Sequence, residues 1–361
     1  MRILRAFILM LAVGIVAGCS GSLPSTDLPS GREVAPALEF PQLRDYRGIV
    51  DCKMRASGYD QGKLAELAVV SQLDFIFLGD YADKNSTDFG VGGFTSNVLF
   101  FPGAAYKVGN DGAEVVALNL QHPIDESKDI FRQIHDQHAL ALVANLGAFS
   151  SPDQYALADV AEIYNLDRAW HTHNSLSLYL KAVFFGADHF FANLDTLPDD
   201  VAVYDRIAGA RVALVAGVGA APNMNVMGAH VGTFEQIFQL YTTHIIATER
   251  QAEPILDALK HGHAYVSFDF LGYVPNFMFF AQLGDRKVMM GDEITMAPGL
   301  KLKVAMPLEA DKVVILGNGS EFASGTHVST FEFEVAGPGV YRIEAYRNGH
   351  PWIYSNPIYV R

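Results

Sequence analysis

Leu73-Asp74-Phe75-Ile76-Phe77-Leu78-Gly79-Asp80 is a short unbroken apolar run closed by a glycine and an acid. Strands covered on both faces read this way, because neither row of side chains meets water. An amphipathic stretch at 63–72 precedes it, and before that Gly48-Ile49-Val50-Asp51-Cys52 reads as another such strand. The same alternation continues outward. Strand-like runs occur at 115–120, 140–144, 161–164, 212–216, 244–247 and 264–268. Helical patterns occur at 129–138, 176–185, 234–240 and 252–261. Near-continuous apolar strands separated by helices predict a parallel sheet or barrel.

The character changes at Val274-Pro275. Helical periodicity fades, and short runs at 301–305, 312–316, 330–335, 340–345 and 352–360 follow. They are separated by turns such as Gly317-Asn318-Gly319 and Gly337-Pro338-Gly339. This pattern predicts a small antiparallel β-sandwich.

The N-terminus carries Arg2 and Arg5, an apolar run at 6–16, and then Val16-Ala17-Gly18-Cys19. A positive start, a short apolar core and small residues before a cut site predict an export signal. The run is too short to span a bilayer, which needs about 20 apolar residues. The small-small-Cys ending resembles a lipobox. It implies cleavage before Cys19, lipidation of that cysteine and anchorage to a membrane of the bacterial cell envelope, since several acyl chains anchor where one does not. Residues 20–35, rich in Ser, Pro and Gly, read as a flexible tether. Ser20, in place of an aspartate at the position after the lipidated cysteine, leans towards the outer membrane.

The formal net charge of −14 over 361 residues argues against nucleic acid and against a polybasic membrane patch. Half of the residues are hydrophobic, ample for a large core. With Cys19 lipidated, Cys52 has no partner within the chain, so no disulfide framework is expected. Cys52 reads as a buried inert thiol.

Several segments, taken in order, carry a family resemblance. Ile49-Val50 leads into a loop with Asp60 and Gly62; the 73–78 strand leads to Gly79-Asp80; Glu162-Ile163-Tyr164-Asn165 stands intact; Val215-Ala216-Gly217 leads to Asn223. The tail adds Gly339-Val340-Tyr341-Arg342 and Pro351-Trp352-Ile353-Tyr354-Ser355-Asn356-Pro357-Ile358. Over roughly residues 45–361 the chain resembles exported metallohydrolases of the PHP (polymerase and histidinol phosphatase) superfamily. The resemblance implies a distorted (β/α) barrel of PHP type followed by the sandwich, with phosphoester hydrolysis through two or three metal ions held by histidines and carboxylates.

At the positions where that family holds its ligands, this sequence departs. The His-x-His pair reads Asp51-Cys52-Lys53, and the second residue of Asp-His reads Tyr81 after Asp80. Ala105, Ala113 and Asn145 stand at other ligand positions, and the Asp-Ala-His triplet reads Gly219-Ala220-Ala221. Lys53 is the informative replacement, because a protonated lysine donates but does not ligate. Its charge stands to neutralise Asp51 and Asp80 in place of a metal.

Two readings of the surviving polar residues stay open. Asp51, Asp60, Asp80 and Glu162 are either a residual carboxylate site, oxygen-rich and favouring Mg²⁺ or Ca²⁺ over Zn²⁺, or strand-end and loop residues left after the site decayed. His171-Thr172-His173, with His189 further on, offers imidazoles for a metal such as Zn²⁺, or else solvated rings on a helix. His261-Gly262-His263 reads as a helix stop with last-turn dipole partners.

The combined reading is a signal peptide at 1–18, a lipidated Cys19 and tether at 19–44, a PHP-like α/β barrel at 45–273 and a β-sandwich at 274–361. The degenerate pocket comprises Asp51, Lys53, Asp60, Asp80, Tyr81, Asn145, Glu162, Gly219 and Ala221. No cofactor and no nucleic acid are expected, and the chain reads as a non-catalytic binding or assembly module. The alternative is a divergent metal-dependent phosphoesterase using Asp51, Asp80, Glu162, His171, His173 and His189.

Overall fold

The structure, a computed structural model, describes residues 38–82, 89–108, 112–149, 155–173, 198–221, 223–226 and 229–361. The lipobox with Cys19, the helical pattern at 176–185 and His189 lie outside the described residues. Residues 36–361 form one compact unit. Among the described residues no helix is long and apolar enough to cross a membrane.

The fold is mixed α/β around a large sheet, with a strand-rich C-terminal part. Its first strands are β1 (Arg44–Cys52), β2 (Phe75–Leu78), β3 (Asp80–Tyr81), β4 (Gly93–Thr95), β5 (Val98–Phe101), β6 (Gly103–Val108), β7 (Ala113–Leu118), β8 (Leu140–Ala144), β9 (Val160–Asn165) and β10 (Ala213–Gly219). Helices α1 (Gln61–Val70), α2 (Ile130–His135), α3 (Leu166–His173), α4 (Pro198–Ile207), α5 (Phe234–Ile237) and α6 (Ala252–His261) punctuate the chain.

Strand β1 pairs in parallel with β2 on one side and β10 on the other. From β2 the pairings pass to β5, and from β3 to β6. They continue through β7, β8 and β9 to β10, and so return to β1. Two of these steps, β6 to β7 and β7 to β8, are antiparallel, where sequence alternation predicted a parallel arrangement. For β6 and β7 the reason is local: the four residues between Val108 and Ala113 are too few for the crossover that a parallel pair needs. Strand β8 follows β7 through α2 and is antiparallel to it all the same. The apolar stretch that becomes β5 and β6 carries no helical partner in the sequence and was not anticipated as strands.

Side chains alternate across each strand. Ile49, Ile76 and Leu78 face outward and pack with Leu64, Ala65 and Ala68 of α1. Val50, Phe75, Phe77, Val116, Leu142, Val160 and Val215 face inward and share a core with Ile255, Ala258 and Leu259 of α6.

The first half of β1 also pairs with strand Thr242–Ala247, which pairs with Ala264–Ser267. That strand in turn pairs with His350–Ser355, through Tyr265 opposite Ser355. The sheet therefore runs across position 274 without a break in hydrogen bonding. Beyond it, the two expected runs at 301–305 and 312–316 are one strand, Lys301–Gly317, hairpinned with Ser320–Glu334. Pairing lapses between Ala305 and Ala310, around Pro307, which has no N–H to give a ladder. The first half then pairs with Met278–Leu283 and the second with Gly339–Arg347. Strand Glu293–Ile294 pairs in parallel with Ile358–Val360, an exception to the antiparallel pattern predicted there.

Asn356, fully buried, joins the two parts. Its Oδ1 accepts from the Leu214 N–H at 2.7 Å, and its Nδ2 donates to Leu214 O at 3.1 Å and Ala264 O at 2.8 Å. Arg342 of the C-terminal part makes a two-pronged ion pair with Asp205 of α4, at 2.6 and 2.8 Å. Asn356→Ala strips the side-chain partner from both the N–H and the carbonyl of Leu214, while Ala264 O keeps the Asn356 N–H at 3.3 Å, and a loss on the order of 2 kcal/mol is expected in denaturant melts. A chain ending at residue 273 loses the whole seam and is expected to show no cooperative transition in near-UV circular dichroism; a sharp transition would establish independent folding.

Candidate functional site

Three strands, β1, β7 and β9, carry carboxylates to one place. Glu162 lies two residues beyond inward-facing Val160, and Glu114 two before inward-facing Val116, so alternation alone turns both carboxylates inward. Asp51, near the end of β1, takes φ +51°, a left-handed conformation uncommon for a side-chain-bearing residue. The β1–β2 register slips between Ile49 and Cys52, and this irregularity re-aims the Asp51 carboxylate. Room is made by two glycines. A Cβ at Gly79 would collide with Asp51 Oδ1, and one at Gly217 with the Glu162 carboxylate.

Lys53 fills the space between them. Its Nζ donates to Asp51 Oδ1, Asp51 Oδ2 and Glu114 Oε1, each at 2.9 Å. It lies 4.9 Å from the centroid of the Tyr81 ring. The Lys53 side chain is 3% exposed and that of Asp51 0%. The two oxygens of Asp51 lie too close together to take separate N–H groups, so they chelate the ammonium and Glu114 takes a further N–H. Burial works against the charge on Lys53, but Asp51 and Glu114 outweigh it and hold the ammonium above the ordinary lysine range.

Glu162 is fully buried behind this group. Asn165 Nδ2 donates to Glu162 Oε1 at 2.9 Å and to Asp51 Oδ2 at 3.3 Å. Arg168 Nη1 lies 3.5 Å from Glu162 Oε2, while its Nη2 donates to Asp200 at 2.5 Å. Burial pushes the Glu162 carboxyl up to about 8, with the nearby Asp51 charge adding to the rise. Burial also pushes Asp51 up to about 7, against the pull of Lys53.

The surrounding backbone is sewn together. The Lys53 N–H donates to Gly219 O at 3.0 Å. Ser57 Oγ donates to Lys53 O and accepts from the Ala221 N–H, both at 2.8 Å. Gly219 itself sits at φ +68° against Asp167.

The other residues singled out from sequence do not converge on this point. Asp80 accepts from the backbone N–H groups of Arg55 at 2.8 Å and Ala56 at 3.2 Å, with Arg55 Nε at 3.5 Å from its other oxygen. Lys53 thus pairs with Asp51 and Glu114, not with Asp80. Asp60 is exposed and caps α1 by accepting from the Lys63 N–H at 2.8 Å. Asn145, in a left-handed turn, donates to Gly112 O at 3.1 Å. His171 is 73% exposed on α3 and folds back on Asp167. His173 ends the same helix. Tyr81, 45% exposed, forms the outer wall above Lys53. At the neighbouring position Ala113 faces outward, and Glu114 is the residue that enters the site. A charged residue on the inward row of an apolar strand was its only signal in the sequence.

A divalent metal does not fit this donor set. The oxygens of Asp51 and Glu114 that would ligate it are bonded to an ammonium, and among the described residues no imidazole bonds to either carboxylate. Among the described residues, no group of three or more His, Cys, Asp or Glu side chains is placed to hold a metal ion. Cys52 is buried, and burial raises its thiol well above the ordinary range.

No family model matches the chain. No curated protein matches it either. Among solved structures, it is similar to a two-domain protein from Bacteroides vulgatus described as containing a predicted PHP-like metal-dependent phosphoesterase. The identity is 12%, covering 90% of this chain and 97% of that one, with a TM-score of 0.45.

The raised Glu162 carboxyl has a consequence for stability. The folded chain binds this proton more tightly than the unfolded chain does, so the contribution is fully present at low pH. It is lost as pH rises from the ordinary carboxyl range through about 8. Between about pH 6 and pH 9 this is expected to cost on the order of 1–3 kcal/mol. Glu162→Gln, which keeps the shape and cannot ionise, is expected to flatten that slope in denaturant melts across the range. An equally steep slope in the variant would assign the effect elsewhere.

Proposed function

We propose that this chain is an envelope lipoprotein, anchored through Cys19, in which a distorted barrel of PHP type (residues 45–273) and a β-sandwich (residues 274–361) form a non-catalytic binding or assembly module. The observation that carries this reading is the buried ion pairing of Lys53: its ammonium is chelated by both oxygens of Asp51 and bonded to Glu114, at the place where the resemblance implies a metal. Metal-assisted hydrolysis needs a bound cation with an open position for water. A buried ammonium supplies neither, and it cannot act as a base while those carboxylates keep it protonated.

The ring of pairings that returns to β1 supports the barrel reading, and the bent hairpin serving two sets of strands supports the sandwich. The site lies at the ends of β1, β9 and β10, three strands that run parallel. Barrels of this kind carry their chemistry at the C-terminal ends of such strands. Replacement of ligands there, with retention of the supporting strands, suits a scaffold kept for its shape. The anchorage rests on the sequence of the first 19 residues, and Ser20 favours the outer membrane.

The full chain, purified in detergent and incubated with Mg²⁺, Mn²⁺ or Zn²⁺, is expected to retain no stoichiometric metal by mass spectrometry. It is also expected to show no phosphoesterase turnover that Asp51→Asn or Glu162→Gln removes. A tightly held ion, or turnover lost in those variants, would restore the hydrolase. In fractionated cells the chain is expected in the membrane fraction and Cys19→Ser outside it. Equal membrane retention of both would refute lipid anchorage.

A further inference from the structure

We infer that Asp51, Glu114 and Tyr81 form a preorganised seat for a primary ammonium group, of which the Lys53 side chain is the tethered occupant. The inference rests on the proposal that no metal is held here, and it names the chemistry the site selects instead.

Geometry distinguishes an ammonium from the other cations. Three carboxylate oxygens stand at 2.9 Å from Nζ: the two of Asp51 chelate it from one side and Glu114 Oε1 approaches from another. This is the ordinary length of a charged N–H···O bond. Mg²⁺ draws its oxygens to about 2.0–2.1 Å and Ca²⁺ to about 2.3–2.6 Å, with six or more ligands. The remaining wall offers an aromatic ring with its centroid 4.9 Å from the charge. A ring attracts a cation through its quadrupole but is no oxygen ligand. A guanidinium would pair with one carboxylate as well, but its larger planar head has to fit a space in which the Lys53 side chain is already only 3% exposed.

The seat is built before it is filled. Asp51 is held by its left-handed backbone, by the clearance over Gly79 and by the Asn165 amide. Glu114 projects from β7, which is hydrogen-bonded on both sides. Because Lys53 is buried, a free amine enters only when the tether is shortened. Lys53→Ala removes the equivalent of propylammonium.

The test is thermal melting of full-length Lys53→Ala with propylammonium, tetramethylammonium or Mn²⁺ at matched ionic strength. Propylammonium is expected to raise its melting temperature by at least about 3 °C and to leave the unsubstituted chain unmoved. Tetramethylammonium has no N–H, and neither it nor Mn²⁺ is expected to stabilise the variant. A folded Lys53→Ala that ignores propylammonium, or that Mn²⁺ stabilises as well or better, overturns the seat. Should this variant fail to fold, Lys53→Arg and Lys53→Met decide. The seat predicts that Arg lowers the melting temperature about as much as Met, and an Arg variant as stable as the unsubstituted chain refutes it. Stoichiometric metal in the unsubstituted chain would instead refute the metal-free reading on which the seat depends.

Discussion

A carboxylate removed from water must find a positive charge, a set of hydrogen-bond donors or a proton, because isolated burial of the charge is prohibitive. At the ends of β1 and β9, Asp51 and Glu162 are both fully buried and share the amide of Asn165. The surrounding structure answers that constraint. Lys53 brings one ammonium, and Glu114 supplies the third oxygen it needs. Gly79 and Gly217 give up side chains so that the carboxylates fit. Burial and mutual repulsion favour keeping a proton on Glu162. The turn after Lys53 is tied to Gly219 and Ala221, so the strand ends around the site are held by the same residues.

A second buried network stands at the other end of β1. Arg47 reaches Asp269 through Nη2 at 2.7 Å and Nε at 3.0 Å, and also bonds Phe238 O. Asp45 accepts from the Asn276 N–H at 2.6 Å and lies 2.8 Å from His244 Nδ1 and 2.6 Å from the Tyr265 hydroxyl. Burial pushes the Asp45 carboxyl up, but His244, Tyr265 and the Asn276 N–H together hold it below the ordinary carboxylate range. These partners precede residue 274, except Asn276 just beyond it. With Asn356 and the Arg342–Asp205 pair, they make the two sequence modules neighbours in one hydrogen-bonded sheet. Buried pairs of this kind contribute less to net stability than to excluding other arrangements, because breaking one partner strands the other.

Much of the scaffold was legible in the chain. Apolar runs such as 75–78, 140–144 and 160–165 are strands because both faces are covered, and that requirement writes itself into composition. The stop at Gly262, φ +77°, follows from its freedom to adopt a left-handed cap. The antiparallel insertion of β6 and β7 was not legible, since an apolar residue carries no mark of its neighbour's direction. Nor was the joining of 301–305 and 312–316 into one bent strand. The polar residues were harder still. Asp60 and Asp80 look like ligands in sequence, yet one caps a helix and the other closes a turn, because a carboxylate accepts equally well from a backbone N–H.

The sequence by itself determined the alternation of covered strands and helices, the change of character near residue 274, and the presence of a lysine where the resembled family has a histidine. Those are properties of side-chain hydrophobicity and identity, which each residue carries alone. Only the tertiary structure decided that Lys53 meets Glu114, 61 residues away, rather than Asp80. Partnership depends on strand register and on which face each side chain takes. Two residues of equal charge differ by whether the pleat points them towards the lysine, and that is settled only when the strands pair in register.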